Sequence, residues 1–280
     1  MAIATWARRE EIVDSQDDLL LLALRDAGCD AQRVVWGGAV DADLCVIRSV
    51  WDYFERRDEF LRWIAEVGRT MPVWNPLPIL TWNSHKSYLA DLERAGVHVP
   101  PTEVLRPGDD VIEAITRRGW TERVIVKPIV GVGALGSLVA RVDEHDHLRS
   151  QVELLHRDGD VLLQPFLSRI GADGESSLVF FGGTLSHAVR KIPAQDDYRA
   201  HPYWGARIEP HVPSDAERAV ASRALAAVPG TALYARVDLV PLDDGTPALI
   251  ELELIEPYLF LDASSAAVFA GSIAGLSDIA

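Results

Sequence analysis

The sequence has 280 residues, a net charge of −15, and 25% charged beside 48% hydrophobic residues. It is long enough for one large domain or two to three small ones with a substantial core. The negative charge argues against nucleic acid or an anionic membrane as partner, since both require a positive surface. No apolar run reaches the roughly 18 residues of a membrane span, and no signal peptide is evident, so a cytoplasmic location is expected.

The first 80 residues alternate between strand and helix patterns. Residues 2–6 read as a strand, and residues 14–17 supply capping side chains before an apolar helix that ends at Gly28. Two further strands follow at residues 32–36 and 44–49. This alternation predicts a small parallel α/β layer.

The strand at residues 44–49 ends in Arg48-Ser49-Val50-Trp51-Asp52-Tyr53. Polar and aromatic groups at the carboxyl end of a parallel strand are typical of ligand sites. Arg48 is therefore a candidate for gripping a substrate carboxylate with two hydrogen bonds. The alternative is a helix-capping Asp52 among ordinary surface neighbours.

A segment rich in Pro and Trp at residues 71–78 is interpreted as a linker, followed by a helix from Asn83 to Arg94. A β-branched strand at residues 123–129 carries Lys127 and precedes the glycine-rich run from 131 to 136.

This glycine run matches the spacing of a dinucleotide-binding loop, but that interpretation requires a helix directly after it. Residues 137–142, with the β-branched Val139 and Val142, instead predict another strand, so the glycines are expected to join two strands as a mobile flap. Its backbone amides, with Lys127, would suit phosphate groups. A purely structural glycine turn remains the alternative.

A predicted strand at residues 160–167 ends in Gln164-Pro165-Phe166-Leu167. The proline interrupts hydrogen bonding in the sheet and frees backbone groups that suit the edge of an adenine, although such prolines also mark edge strands. Next, a hairpin around Gly182-Gly183 ends in Arg190-Lys191, and the polar aromatic loop at residues 195–205 is a candidate lid.

Residues 233–257 contain two apolar alternating runs on either side of Asp244-Gly245, which predicts a tight hairpin. With these two residues at the turn, Asp238 lies opposite Glu251 and Arg236 lies opposite Glu253. Glu253 shares the face of Glu251 because strand side chains alternate. Three carboxylates without His or Cys favour magnesium or manganese. A solvated acidic face is the alternative, and nearby prolines could shift the register.

The order of these features resembles the ATP-grasp superfamily of carboxylate–amine ligases. The similarity spans about residues 81–257, and the N-terminal layer looks like that family's pre-ATP-grasp domain. The resemblance implies an α/β fold, α+β in its ATP-binding part. It implies an N-terminal domain at 1–80, a central subdomain with lysines and flap at 81–163, and a C-terminal subdomain with the metal-binding hairpin at 164–280. The features that carry it are Lys86, Lys127 with the glycine run, Gln164-Pro-Phe-Leu, Arg236-x-Asp238 and Glu251-x-Glu253.

The resemblance also implies roles for individual residues in holding MgATP. Asp238, Glu251 and Glu253 would hold two Mg²⁺ ions, with Mn²⁺ as a substitute. This chain carries Glu253 where relatives have Asn, and Ser177 where they commonly have Arg. The missing charge is expected from cations nearby. The expected ATP contacts are Lys86, Lys127, Gly131, Gly133, Gly136, Gln164, Phe166, Leu167 and Glu175, and the expected catalytic cations are Arg190, Lys191, Arg207 and Arg236.

The segments at residues 4–18 and 47–53 resemble the branch of the superfamily that forms cycloserine in antibiotic biosynthesis. That branch implies ATP-dependent ring closure of O-ureido-D-serine, with a small amino-acid-like substrate as partner and a homodimer as a further expectation. An intermolecular amino-acid or peptide ligase and a non-catalytic MgATP-sensing module remain alternatives. The residues expected to contact substrate are Arg48, Ser49, Asp14, Gln16 and Tyr203.

Overall fold

The computed structural model describes residues 1–7, 15–195 and 197–277. Asp14, which is expected to contact substrate, lies outside the described residues. Three sheets follow one another along the chain, each with helices packed on it. Among the described helices, none has the length and apolar character needed to cross a membrane.

The first sheet is parallel, with strand order β2-β1-β3-β4, as the strand and helix alternation predicts. The region expected to be a linker instead contributes the edge strand β4. Its apolar side chains explain the difference, since Val73 is buried beside β3. The elements are β1 (Ala2–Thr5), α1 (Ser15–Asp26), β2 (Gln32–Val35), β3 (Cys45–Ser49), a 3-10 turn (Tyr53–Arg56), α2 (Arg57–Val67) and β4 (Val73–Trp74).

Two short helices, α3 (Leu77–Asn83) and α4 (Tyr88–Arg94), replace the single helix expected from Asn83 to Arg94. Pro78 lies in the first turn of α3, where its missing N–H costs no helical hydrogen bond. The domain boundary expected between residues 80 and 81 thus falls inside α3.

The second sheet is antiparallel, with strand order β5-β8-β6-β7. Two amphipathic helices bury their apolar faces against it. The glycine run joins β6 to β7, so the expected strand-to-strand connection is confirmed. The boundary expected between residues 163 and 164 falls inside β8. The elements are β5 (Glu103–Leu105), α5 (Val111–Arg118), β6 (Arg123–Pro128), β7 (Leu138–Arg141), α6 (His145–Leu155) and β8 (Val161–Pro165).

The third sheet is also antiparallel, with strand order β11-β10-β9-β12-β13. After it the chain returns to the N-terminal layer, where the last helix packs on α1 and its Phe269 stacks on Phe181 of the third sheet. The elements are α7 (Ile170–Asp173), β9 (Glu175–Phe181), β10 (Thr184–Ile192), a 3-10 turn (Pro202–Trp204), β11 (Arg207–Pro210), α8 (Asp215–Ala226), β12 (Tyr234–Pro241), β13 (Pro247–Glu253) and α9 (Ala263–Ser277).

The outer edge of β13 is covered by side chains from the α3–α4 segment. Asn83 donates to the Leu252 carbonyl at 2.7 Å and accepts from the Leu254 N–H at 2.8 Å. The Tyr88 hydroxyl accepts from the Leu252 N–H at 3.0 Å. These bonds satisfy an edge that would otherwise be unpaired, and they fix the strand that carries Glu251 and Glu253.

Replacing Asn83 by Ala should therefore destabilise the protein. The change leaves two buried backbone groups without partners, and we expect a loss of about 2–4 kcal/mol in the free energy of unfolding. Urea denaturation provides the measurement, with the exposed Thr81→Ala in the same helix as control. Equal stability of the two variants would show that the strand edge does not depend on this side chain.

Candidate active site

The β12–β13 hairpin has the predicted register at its functional end. Arg236 pairs with Glu253, and Asp238 pairs with Glu251. The turn differs from the prediction, because three residues, Asp243 to Gly245, lie inside the Leu242–Thr246 hydrogen bond. The longer loop shifts the pairing by one residue near the turn.

A second irregularity, farther from the turn, restores the predicted pairing. Between Asp238 and Leu239 the register shifts by one, because Ile250 is an additional residue in β13. A bulge of this kind changes the direction of the side chains beyond it. Glu251 consequently faces Asp238 across the strands, and the predicted carboxylate cluster forms although the predicted turn is wrong.

Three carboxylates meet on this face of the sheet. One oxygen from each of Asp238, Glu251 and Glu253 lies within 4.8 Å of the others. Asp238 is buried with 1% exposure, and the two glutamates are partly buried. Oxygen donors at this spacing suit Mg²⁺ or Mn²⁺. The donor set therefore fits the expected metal.

Arg236 neutralises much of this negative charge. Its guanidinium donates three hydrogen bonds of 2.8–3.1 Å to the Asp238 carboxylate, and it also pairs with Glu253. A further nitrogen donates to the Tyr258 carbonyl at 3.1 Å. Arg236 thus lies at the cluster as expected, and it ties the hairpin to the segment after β13.

Lys191 is the second buried cation of the cluster. Its ammonium pairs with Glu175 and lies 3.4 Å from Asp238. The Ser177 hydroxyl donates to Asp238 at 2.5 Å. Lys191 therefore places a positive charge beside the serine that replaces the family arginine. Glu175, expected near the ribose, is held here by Lys191.

Arg190 and Arg207 do not join the cluster, so the expectation for these two residues is wrong. Side chains alternate along a strand, and both arginines lie on the sheet face opposite Lys191. Arg190 approaches His211 and lines a separate cavity of about 330 Å³ beside α8. Arg207 is exposed and paired with Glu209 at 2.9 Å.

The chain contains three lysines, and all of them lie around the cluster. Lys86 forms an ion pair of 2.9 Å with Glu251 and donates to the Gly131 carbonyl at 2.8 Å, which links the metal face to the flap. Lys127 forms no ion pair or hydrogen bond within the described residues. Burial lowers the pKa of Lys127, while Glu251 raises it. Its free ammonium suits an anionic ligand.

The expected adenine contacts gather at the end of β8. The Gln164 side chain donates to the Thr102 hydroxyl at 2.8 Å, and the Phe166 N–H donates to the Arg123 carbonyl at 2.9 Å. The Phe166 carbonyl and the Leu167 N–H have no hydrogen-bond partner in the part of the chain described. This neighbouring acceptor and donor match the edge of an adenine.

The loop at residues 195–205, apart from Asp196, lies against the glycine flap. Tyr198 donates to the Ser137 carbonyl and Trp204 donates to the Gly133 carbonyl, each at 3.2 Å. Tyr203 is 70% exposed and packs edge-on against Trp204, so it does not face the carboxylates as expected of a substrate contact. Flap and loop form one cover over the site.

His201 belongs to this expected lid, but the sequence patterns gave it no role at the carboxylate cluster. Burial lowers the pKa of His201 to about 4, assisted by Lys191 and Arg236. Its Nδ1 accepts from the Tyr203 N–H at 3.1 Å. The histidine is therefore neutral at pH 7 and adds no charge to the cluster. A lone histidine in a loop carries no sequence signal for this placement.

The substrate contacts expected in the N-terminal layer are structural instead. Arg48 is 1% exposed, lies 3.8 Å from Asp17 and donates to the Pro257 carbonyl at 3.2 Å. Ser49 donates to Asp17 at 2.5 Å. Gln16 accepts from the N–H groups of two residues in the C-terminal segment. These buried side chains join the layer to the end of the chain, so none presents its polar group to a substrate.

The carboxylates differ in proton affinity. Burial raises the pKa of Glu253 to about 7 and that of Glu175 to about 8, in each case against a cation that lowers it. For Asp238, burial would raise the pKa, but Arg236 and Lys191 bring it below its usual range. Glu251 is likewise lowered overall, because Lys86 and Lys127 outweigh its burial. Burial and the neighbouring cations thus act in opposite directions on the pKa values of these carboxyls.

Two known family profiles match most of the chain. The profile of the D-cycloserine synthetase DcsG N-terminal domain matches residues 1–75, and that of the prokaryotic glutathione synthetase ATP-grasp domain matches residues 92–242. The cycloserine biosynthesis protein DcsG of Streptomyces lavendulae is 34% identical, and the match covers 88% of this chain and 87% of that protein. The second profile ends before β13, so the placement of Glu251 and Glu253 comes from the fold.

Solved structures extend the likeness to nearly the whole chain. A crystal structure of D-cycloserine synthetase DcsG matches with a TM-score of 0.87 and 30% identity over 98% of both chains. D-alanine–D-alanine ligase from Bacillus anthracis has a TM-score of 0.72 and 16% identity, over 99% of this chain and 95% of the ligase. The second likeness concerns the fold alone. The expected fold and family resemblance are confirmed.

The raised pKa of Glu253 predicts that magnesium binding releases protons. About half of a carboxyl with a pKa of about 7 is protonated at pH 7. A metal must displace that proton, so Mg²⁺ affinity should strengthen as pH rises from about 6 to 8. Calorimetry in two buffers of different ionisation enthalpy measures the release. Glu253→Gln should release fewer protons, whereas Glu209→Gln on the opposite face should match wild type; buffer-independent heats would contradict the assignment.

Proposed function

Because the chain belongs to the ATP-grasp family of ADP-forming carbon–nitrogen ligases, we propose that it closes a small amino acid into a ring. The proposed substrate is O-ureido-D-serine and the product is D-cycloserine. The observation that carries the proposal is the 34% identity to DcsG over 88% of the chain, which includes the N-terminal layer. That layer adjoins the metal hairpin and so helps to form the substrate side of the site.

Different residues around the cluster would bind different parts of MgATP. Asp238, Glu251 and Glu253 would hold two Mg²⁺ ions, which supply positive charge to the β- and γ-phosphate oxygens. Lys86 and Lys127 would contact those phosphates beneath the glycine flap. The Phe166 carbonyl, the Leu167 N–H and Gln164 would hold the adenine, and Glu175 would reach the ribose after release from Lys191.

The chemistry has two substitutions. The substrate carboxylate attacks the γ-phosphorus of ATP, the bond between that phosphorus and the β–γ bridging oxygen breaks, and ADP leaves. In the resulting acylphosphate, the ureido nitrogen bonded to oxygen attacks the acyl carbon, loses a proton and expels phosphate. The ring nitrogen then still bears a carbamoyl group. Its hydrolysis consumes one water and gives carbon dioxide and ammonia, so the balance is complete.

The acylphosphate requires protection from water. Tyr198 and Trp204 each hydrogen-bond a flap carbonyl, so the loop and flap cover the phosphate side together. Closure of such a cover excludes the water that would hydrolyse the intermediate. The lowered pKa of His201, in the same loop, keeps this side chain neutral, so it adds no positive charge beneath the cover.

Isotope labelling and product analysis test this proposal. With oxygen-18 in the carboxylate of O-ureido-D-serine, label should appear in the released phosphate, because that oxygen bridges carbon and phosphorus in the acylphosphate. ADP and ammonia should form in equal amounts with no added amine.

Each alternative gives a distinct result. Strict dependence on an added amine acceptor would select an intermolecular ligase. Phosphate without label, formed together with ADP, would rule out carboxylate activation. MgATP binding without ADP from any amino-acid carboxylate would favour the sensing module.

Lys127 provides a second test. Lys127→Ala removes the unpaired ammonium below the flap, and MgATP affinity should fall roughly ten- to a hundredfold, as for a charged hydrogen bond. Isothermal calorimetry measures the affinity and thermal unfolding checks the fold. Arg141→Ala is the matched control, since it removes an exposed cation from the paired strand β7. Equal affinity in the two folded variants would exclude the phosphate role.

A further inference from the structure

Most charges around the carboxylate cluster have a partner of opposite sign. Lys86 pairs with Glu251, Lys191 with Glu175, and Arg236 with both Asp238 and Glu253. Two ionisable groups remain without one among the described residues, namely Lys127 beside the flap and Glu256 beyond β13. Buried ionisable groups are normally paired, so each of these two groups indicates a ligand.

The position of Glu256 is fixed by its backbone. Its carbonyl accepts from the Trp51 indole N–H at 3.1 Å. The preceding carbonyl, of Ile255, accepts from the Tyr234 hydroxyl at 2.7 Å, and the following one, of Pro257, accepts from Arg48. Glu256 is therefore held where the metal hairpin meets the N-terminal layer.

The Glu256 side chain is 9% exposed and makes no hydrogen bond or ion pair within the described ranges. Burial raises the pKa of this carboxyl well above its usual range, and Glu253 and Glu251 raise it further. The nearby cations Lys86 and Arg236 offset this only in part. Holding the charged form is costly at this position unless a cation binds there. Glu256 thus suits a positively charged group that arrives with a ligand.

The neighbours indicate which cation fits. Trp51 and Tyr53 follow β3 at the carboxyl edge of the parallel sheet, where such sheets bind small ligands. Tyr53 is 4% exposed, and after burial the charge of Glu256 is the strongest influence on its pKa. Glu256 therefore lies at the edge where a small organic ligand would bind, and an organic ammonium group is the cation that such a ligand brings. The phosphate-binding features, Lys127 and the flap, lie on the second sheet instead.

We propose that the Glu256 side chain binds the α-ammonium group of the amino-acid substrate. The substrate's own carboxylate is then directed toward the cluster of Asp238, Glu251 and Glu253. This inference rests on the proposed function and assigns the specificity for an α-amino acid to one residue. Glu256 thus takes the place expected for Arg48 as the residue that binds substrate on the N-terminal side. The group that it recognises is the substrate's ammonium and not its carboxylate.

The test compares two substrates and several variants. The substrates are O-ureido-D-serine and 3-(ureidooxy)propanoic acid, which differ only in the α-amino group. Wild type should prefer the amino compound by about tenfold or more in kcat/KM, from the loss of one charged hydrogen bond. Glu256→Gln should lose a similar factor on the amino compound and little on its analogue, so the preference should nearly disappear. Glu256→Asp keeps the charge and should retain a preference, and Glu66→Gln, exposed on α2, should behave as wild type.

Thermal unfolding checks that Glu256→Gln folds, with a raised midpoint expected from removal of an unpaired buried carboxyl. Equal losses on both substrates would overturn the proposal in favour of a structural role. A higher Mg²⁺ requirement in Glu256→Gln, with the preference intact, would overturn it in favour of a metal ligand. If wild type forms ADP from neither compound, the ring-closing function fails, and the ammonium site fails with it.

Discussion

The site depends on the ion pairs that Arg236 forms with Asp238 and Glu253. Carboxylates gathered on one sheet face repel each other strongly when little water separates them. Arg236, with Lys191, offsets this repulsion and allows the hairpin to fold before any metal binds. The same pairs hold the carboxylate oxygens at a spacing that suits a divalent ion. The same carboxylates therefore stabilise the fold through Arg236 and provide the oxygens for a metal. A bound ion must compete with the guanidinium for Glu253.

Two kinds of support hold this hairpin in place. Asn83 and Tyr88 bind the outer edge of β13 through its backbone, so the edge is paired without a further strand. Arg48 and Trp51 hold the segment after β13 from the N-terminal layer. The first support contacts only the backbone of β13 and the residue after it, whereas the second lies beside Glu256. In the proposed complex, the substrate would contact the chain at Glu256, only three residues beyond Glu253 of the carboxylate cluster.

Local patterns predicted the strands and the facing carboxylates, because alternation and turn residues act over short distances. The turn was wrong by one residue and the Ile250 bulge compensated, a coincidence that no pattern shows. Arg48 was misassigned because its position at a strand end resembles that of a ligand contact. Its burial depends on Pro257 and Asp17, which come from other parts of the chain. The alternation of side chains along β10 could have shown that Lys191, and not Arg190, lies on the face of Glu175.

Lysine and arginine have different roles at the site. Three lysines occur among 27 basic residues, and all three lie at the site. A guanidinium holds a fixed planar contact, which suits the permanent link from Arg236 to Asp238 and the Tyr258 carbonyl. An ammonium is a compact charge on a flexible stem that exchanges one anion for another with little rearrangement. Lys86 and Lys191 hold carboxylates in the absence of nucleotide, and Lys127 holds none. In the proposed function, Lys86 and Lys191 would exchange these carboxylates for the anionic ligand while Arg236 keeps the hairpin in register.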